Sequence, residues 1–205
     1  MVKVKICGIT NVTDAKAAVR LGADALGFNF ALGPRKITPE RAKAILTALP
    51  PFVTPVALFV NEEPERVREV CEFCGIGTVQ LHGDEPPRYL ERLHRLRIIK
   101  ALRVRDERDV RHLARYKADA YLLDTFVPGV PGGTGQTFRW ELAREAHEYG
   151  PIIVAGGLTP ENVRQAIEAA RPYGVDVASG VESEPGRKDR KLMAAFIRVA
   201  KLAGL

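Results

Sequence analysis

The chain is 205 residues long, 46% hydrophobic and 27% charged, the composition of one globular domain with a sizeable core. Its 31 basic and 25 acidic residues leave a net charge of +6, but the charges are interspersed and no basic patch is interleaved with aromatics. That argues against nucleic acid and for a small anionic ligand, and with no apolar run near the ~20 residues of a membrane span and no leader, a cytoplasmic location is expected.

Short apolar runs and amphipathic segments alternate along the whole chain. Strands are expected at Val2–Cys7, Ala25–Phe30, Val53–Val60, Thr78–Leu81, Ile98–Leu102, Ala120–Leu123, Ile152–Ala155 and Val175–Ala178. Among the helices between them, Thr38 caps and Pro39 opens one that turns Ala42, Ile45, Leu46 and Leu49 inward and stops at Pro50-Pro51. Val67, Val70, Cys71 and Cys74 lie at helical spacing and run up to Gly75. The C-x-x-C of Cys71 and Cys74 therefore reads as buried helix face, since a redox pair belongs at a helix N-terminus and a zinc site needs further ligands. Three cysteines fit a reducing compartment.

Near the end of the chain, Thr159 reads as an N-cap with Pro160 at the first helical position, followed by the stripe Val163, Ala166, Ile167 and Ala170. The last helix turns Leu192, Ala195, Phe196 and Val199 inward. About eight strand–helix units without a linker imply one domain, residues 1–205, folded as a (β/α)8 TIM barrel with parallel strands. An open doubly wound sheet is the alternative, but no G-x-G-x-x-G follows the first strand.

In such a barrel the chemistry sits where strands end. The seventh strand runs into Gly156-Gly157 and a helix start, and the eighth closes on Ser179-Gly180. Two neighbouring turns that expose amides suit a shared phosphate, whereas either alone is an ordinary strand–helix turn. Cys7 ends the first strand and Asp124 the sixth, so a thiol and a carboxylate can face the barrel mouth. An inert core thiol and a loop-capping carboxylate are the plain alternatives. As a pair they could act as base and acid, with a thiolate taking a proton from carbon and a carboxylic acid protonating a leaving oxygen.

Several motifs, spread in order over nearly the whole chain, carry a close resemblance to a known family. They are Val4-Lys5-Ile6-Cys7-Gly8-Ile9-Thr10, Gly27-Phe28-Asn29-Phe30 with Pro34-Arg35, Phe59-Val60-Asn61, and Val79-Gln80-Leu81-His82-Gly83-Asp84. Leu122-Leu123-Asp124-Thr125, Gly132-Gly133-Thr134-Gly135 with Phe138-Arg139-Trp140, Ala155-Gly156-Gly157-Leu158-Thr159-Pro160-Glu161-Asn162-Val163 and Ser179-Gly180-Val181-Glu182 complete the set. Together they resemble the phosphoribosylanthranilate isomerases of tryptophan biosynthesis.

The resemblance implies a cofactor-free, metal-free Amadori rearrangement of N-(5'-phosphoribosyl)anthranilate, with Cys7 as general base and Asp124 as general acid. It implies that Gly156, Gly157, Ser179 and Gly180 hold the substrate phosphate and that Arg35 meets the anthranilate carboxylate, where a guanidinium suits bidentate pairing. Gln80, His82 and Asp176 are expected to line the substrate pocket, with a structural role as the alternative for Gln80 and His82. Partial burial would help Asp124 keep its proton and nearby positive charge would help Cys7 lose its own. Two departures stand out: Gly33-Pro34-Arg35 replaces the family's usual Ser-Pro-Arg, and Phe126-Val127-Pro128-Gly129-Val130-Pro131 lengthens a segment that is expected to act as a lid over residues 126–136. The partner is a small phosphosugar substrate, on a monomer or a homodimer. The competing readings are another phosphosugar isomerase, one that also serves histidine synthesis, and a non-catalytic phosphometabolite-binding barrel.

Overall fold

The computed structural model describes residues 1–125 and 139–204. The expected lid, residues 126–136, lies outside the described residues. Eight strands close into a parallel barrel: β1 (Lys3–Cys7), β2 (Ala25–Asn29), β3 (Thr54–Phe59), β4 (Thr78–Leu81), β5 (Arg97–Val104), β6 (Ala120–Thr125), β7 (Ile152–Val154) and β8 (Gly174–Val177). Each expected strand is present, with ends shifted by at most two residues. β1 pairs with both β2 and β8, and this seam sets Lys5 beside Asp176 and Cys7 beside Gly27.

Around the barrel lie α1 (Val12–Arg20), α2 (Pro39–Thr47), α3 (Pro64–Cys74), α4 (Pro87–Glu91), α5 (Glu107–Arg111), α6 (Leu142–Glu145), α7 (Val163–Ala170) and α8 (Arg190–Ala203). α4 and α5 have five residues each and α6 four, and this economy lets a short chain complete the ring. α2 starts as read: the Thr38 hydroxyl accepts from the Arg41 amide at 3.3 Å and Pro39 opens the first turn. α3 ends at Gly75 in the left-handed region, φ +72°, and buries both of its cysteines.

Two helix expectations need correction. α7 begins at Val163, three residues later than Pro160. The Asn162 side chain folds back instead, accepting from the Thr159 amide at 2.8 Å and donating to the Gly157 carbonyl at 2.9 Å. Thr159 nonetheless caps this opening turn as read: its hydroxyl accepts from the Glu161 amide at 3.3 Å and its carbonyl from the Val163 amide at 3.1 Å. α8 buries Met193, Phe196, Ile197 and Ala200, while Leu192 and Val199 pack at the margin and Ala195 is only half-buried. Both stripes share Phe196 and differ by a small rotation, which periodicity alone resolves poorly.

The core divides into two layers. A large outer layer joins strand residues such as Ile6, Phe28, Phe59 and Val175 to the helices. A small inner layer, Val56, Ile99, Ala101, Ala120, Leu122, Ile153 and Ala155, plugs the barrel itself. Because strand side chains alternate, the next inward position beyond this plug opens at the strands' C-terminal ends. Among the described residues no helix is long and apolar enough to cross a membrane.

Leu122 is fully buried at the centre of the inner layer. Leu122→Ala should lower unfolding free energy by about 2–5 kcal/mol in chemical denaturation. A loss under ~1 kcal/mol would mean that the barrel interior collapses into the gap and is not close-packed.

Candidate active site

At the C-terminal mouth of the barrel a cavity of about 590 Å³ is lined by Cys7, Arg35, Gln80, His82, Arg103, Asp124, Gly156, Gly157, Asp176, Ser179 and Gly180 among others. Every residue singled out in the sequence thus reaches one space, of a size suited to a small organic ligand.

On one side stands Cys7. Two residues earlier on the same face of β1, Lys5 is buried and its Nζ meets Asp176 Oδ1 at 2.9 Å. The Lys5 ammonium also acts as a positive charge on the Cys7 sulfur. Space for this contact comes from Gly27: a Cβ there would lie 2.7 Å from Cys7 Sγ and 3.0 Å from Lys5 Nζ. Burial pushes the Cys7 thiol above its ordinary range, and the Asp176 carboxylate adds to that, while Lys5 and Lys188 offset only part. Positive charge does surround the thiol as expected, yet in the ligand-free site desolvation outweighs it. Burial works against the Lys5 charge too, but Asp176 and then Cys7 outweigh it and raise the ammonium's pKa.

Arg35 lies over Gly8, whose φ of +76° and missing Cβ let the chain pass beneath: a Cβ would stand 2.5 Å from Arg35 Cδ. Its guanidinium is already engaged. Nε and Nη2 donate to the two Glu182 oxygens at 2.8 and 2.7 Å. Lys188 Nζ donates to the same carboxylate at 2.8 Å and to the Ala178 carbonyl at 3.0 Å. Burial alone would raise the Glu182 carboxyl, but Arg35 and Lys188 hold it below the usual carboxylate range. Glu182 and Lys188 both come from the segment after β8, where β9 (Glu182–Glu184) and β10 (Arg187–Lys188) form a hairpin.

Across the cavity Asp124 stands one residue before the end of β6, paired in register with Arg103 of β5. His82 Nε2 lies 3.2 Å from Asp124 Oδ2, and Gln80 Nε2 lies 2.9 Å from His82 Nδ1. The loop carrying His82 is pinned from below. Lys100 donates to the Gly83 carbonyl and to Glu85, each at 2.7 Å, and Glu85 accepts from the Asn61 and Gly83 amides.

The two glycine turns meet at the third wall. Gly156 and Gly157 both take left-handed φ, +80° and +63°. Ser179 and Gly180 begin a short 3₁₀ turn, the end at which helical amides lack partners of their own. Gly180 packs against the β7 turn so closely that a Cβ would lie 1.9 Å from the Leu158 carbonyl oxygen. Lys5, Gly27, Glu182 and Lys188 are not picked out by the sequence. For Lys5 a signal existed, a lysine two positions before Cys7 in an apolar strand, and Glu182 closes one of the family-like motifs; for Lys188 there was none.

This arrangement defines a class, a (β/α)8-barrel enzyme whose mouth carries a thiol and a carboxylate on separate strands. Comparison with known proteins sharpens it. The family model described as N-(5'phosphoribosyl)anthranilate (PRA) isomerase matches residues 4–199. An N-(5'-phosphoribosyl)anthranilate isomerase from Geobacter sulfurreducens is 52% identical over 202 residues, covering 98% of this chain and 99% of its own length. The crystal structure of phosphoribosyl anthranilate isomerase from Thermotoga maritima matches with a TM-score of 0.91 at 45% identity, over 98% of this chain and 99% of that one. A phosphoribosyl anthranilate isomerase in complex with reduced 1-(o-carboxyphenylamino)-1-deoxyribulose 5-phosphate matches at TM-score 0.87 and 44% identity, with the same coverage. The chain belongs to the N-(5'-phosphoribosyl)anthranilate isomerase family.

Alkylation of Cys7 by iodoacetamide, followed on its peptide by mass spectrometry, should accelerate with pH along a titration above the ordinary thiol range. Because thiolate is the reacting form, Lys5→Met should move that titration higher still. A midpoint in or below the ordinary range, or one that falls in Lys5→Met, would contradict a thiol governed by burial and only partly relieved by Lys5.

Proposed function

We propose that this chain catalyses the Amadori rearrangement of N-(5'-phosphoribosyl)anthranilate to 1-(2-carboxyphenylamino)-1-deoxyribulose 5-phosphate in tryptophan biosynthesis, without a cofactor. The observation that carries the residue roles is that Cys7 and Asp124 line one cavity from opposite strands, β1 and β6. Asp124 protonates the ribose ring oxygen; the C1'–O bond breaks, its electrons stay on that oxygen, and the anilino nitrogen lone pair forms the C=N bond of a Schiff base. Cys7, its own proton lost to solvent beforehand, then takes the C2' proton as a thiolate, and the C–H electrons flow into an enolamine. Tautomerisation of the enolamine gives the ketone.

Binding draws on the rest of the wall. The phosphate lies against the Gly156-Gly157 and Ser179-Gly180 turns, where backbone approaches without side chains between. Support for a ligand of this shape comes from the relative whose complex holds a reduced carboxyphenylamino-deoxyribulose phosphate. For the anthranilate carboxylate Arg35 offers the guanidinium edge that Glu182 leaves unused. Arg35, Lys188 and Glu182 together carry a net single positive charge, so the carboxylate meets a field that favours it. Asp176 reads first as the partner of Lys5, and any contact it makes with substrate is through a carboxylate already paired.

Loss of phosphoribosylanthranilate fluorescence, followed with protein held in a chelator, should show full turnover for the unaltered chain. Cys7→Ala and Asp124→Asn should each lower kcat by about a hundredfold or more. Turnover that survives either substitution removes that residue from the mechanism, and no turnover by the unaltered chain overturns the reaction itself. Arg35→Met should raise KM by more than it lowers kcat. The reverse split would assign Arg35 to the transition state rather than to substrate binding.

A further inference from the structure

The cations of the cavity are unevenly placed. On the β1, β2 and β8 side Lys5 is paired with Asp176, and Arg35 is drawn by Glu182 toward the segment after β8. From β3 round to β6, Arg103 is the one lysine or arginine that lines the cavity among the described residues. Alternation fixes its direction: Ile99, Ala101 and Arg103 face inward along β5, in register with Ala120, Leu122 and Asp124 of β6. Its guanidinium is exposed at the mouth and has no hydrogen-bond or ion-pair partner among the described residues. The order of the strands gives that cation a context. The glycine turns follow β7 and β8, and the opposite point of the closed ring lies between β3 and β4. There the wall is apolar: Phe30, Leu58 and Val60 line it from the ends of β2 and β3, and Leu32 stands with them, 88% exposed. A ligand whose phosphate rests on the glycine turns sends its far end toward this wall, a surface suited to an aromatic ring, and β5 stands beside it.

We propose that Arg103 is a binding residue for the anthranilate carboxylate, meeting it from the β5 side as Arg35 offers its free edge from the other. The inference rests on the substrate read above. Charge supports it. A sugar phosphate carries about −1.5 to −2 at neutral pH, and the carboxylate adds one more. Against this, Lys5, Asp176, Arg35, Lys188 and Glu182 sum to a single positive charge. That charge stands at the phosphate end, where Lys188 also holds the Ala178 carbonyl next to Ser179. Lys36 and Glu62, also on the cavity wall, offset each other. Arg103 supplies the missing cation at the opposite end. Arg35 has two of its N–H groups committed to Glu182, whereas Arg103 can turn a whole fork to one carboxylate. Arg103 thereby favours a phosphosugar that bears the ortho carboxyl group over one that ends in a plain ring.

Two ligands test this by titration calorimetry at fixed salt: reduced 1-(o-carboxyphenylamino)-1-deoxyribulose 5-phosphate and its phenylamino counterpart, which lacks the carboxyl group. Arg103→Met should weaken the first about tenfold and the second by less than about twofold. Arg103→Lys keeps the charge but loses the fork, so it should fall between, and it decides the matter should Arg103→Met fail to fold. In turnover of phosphoribosylanthranilate, Arg103→Met should raise KM by a similar factor and leave kcat nearly unchanged. An equal loss for both ligands would mean that Arg103 shapes the mouth or stacks on the ring, and overturns the proposal. Unchanged binding of both overturns it too, as does a fall in kcat with neither affinity altered, which would assign Arg103 to its neighbour Asp124. If the unaltered chain binds neither ligand, the substrate reading itself falls and this inference with it. Tight binding of both that ignores the carboxyl group overturns the inference alone.

Discussion

The site depends on one ion pair inside the barrel, Lys5 with Asp176. These charges sit where β1 and β8 close the ring, each less than a tenth exposed. Two charges taken from water lose several kcal/mol of hydration apiece, and only close pairing and further hydrogen bonds recover it. An apolar pair would close the same seam more cheaply. What the charged pair adds is a cation held against Cys7 in a place from which solvent is excluded. Removing Asp176 would free the field of Lys5 but leave that charge buried and uncompensated; keeping it tempers the field and makes it permanent.

A second buried carboxylate organises the opposite rim of the same side. Glu182 takes the Arg35 fork and the Lys188 ammonium, drawing together the segment after β2 and the hairpin after β8. An unpaired arginine beside Gly8 would have many rotamers to lose on binding. One already clamped has few, so ordering it adds little to the free energy that substrate binding must supply. The same clamp removes the bidentate edge that a ligand carboxylate would prefer, and this trade of strength for pre-organisation is why the free edge and the residual charge matter.

The barrel, its eight strands and the convergence of Cys7, Asp124 and the two glycine turns were legible because each depends on local pattern. Apolar runs of four to eight residues, followed by small or polar strand ends, need no tertiary knowledge. Lys5 was legible in principle, since alternation puts it on the face of Cys7, but a lysine at that position reads as surface until the seam with β8 is known. Glu182 and Arg35 stand 147 positions apart, and no spacing rule joins them. The start of α7 was legible as a cap at Thr159, whose hydroxyl accepts from Glu161 and whose amide donates to Asn162, but regular helix begins only at Val163. His82 was legible as a strand-end polar group, but its place between Gln80 and Asp124 was not, since Asp124 stands 42 positions on in the chain.

These arrangements divide the barrel mouth into two electrostatic regimes. Around Cys7, on β1, β2 and β8, charges act: Lys5, Lys188 and Arg35 against Asp176 and Glu182. Around Asp124, on the β4–β6 side, Gln80 and His82 form a line of hydrogen bonds, with Arg103 paired in register beside the carboxylate. The division suits the roles proposed for the two groups. A base that attacks carbon gains from charge, because carbon acids form no strong hydrogen bond that could orient the transfer. An acid that protonates an oxygen gains from direction, because its partner is itself a hydrogen-bond acceptor whose lone pair fixes the approach. Placing the donors of one regime and the charges of the other on strands far apart in the ring lets a single cavity hold both without either cancelling the other.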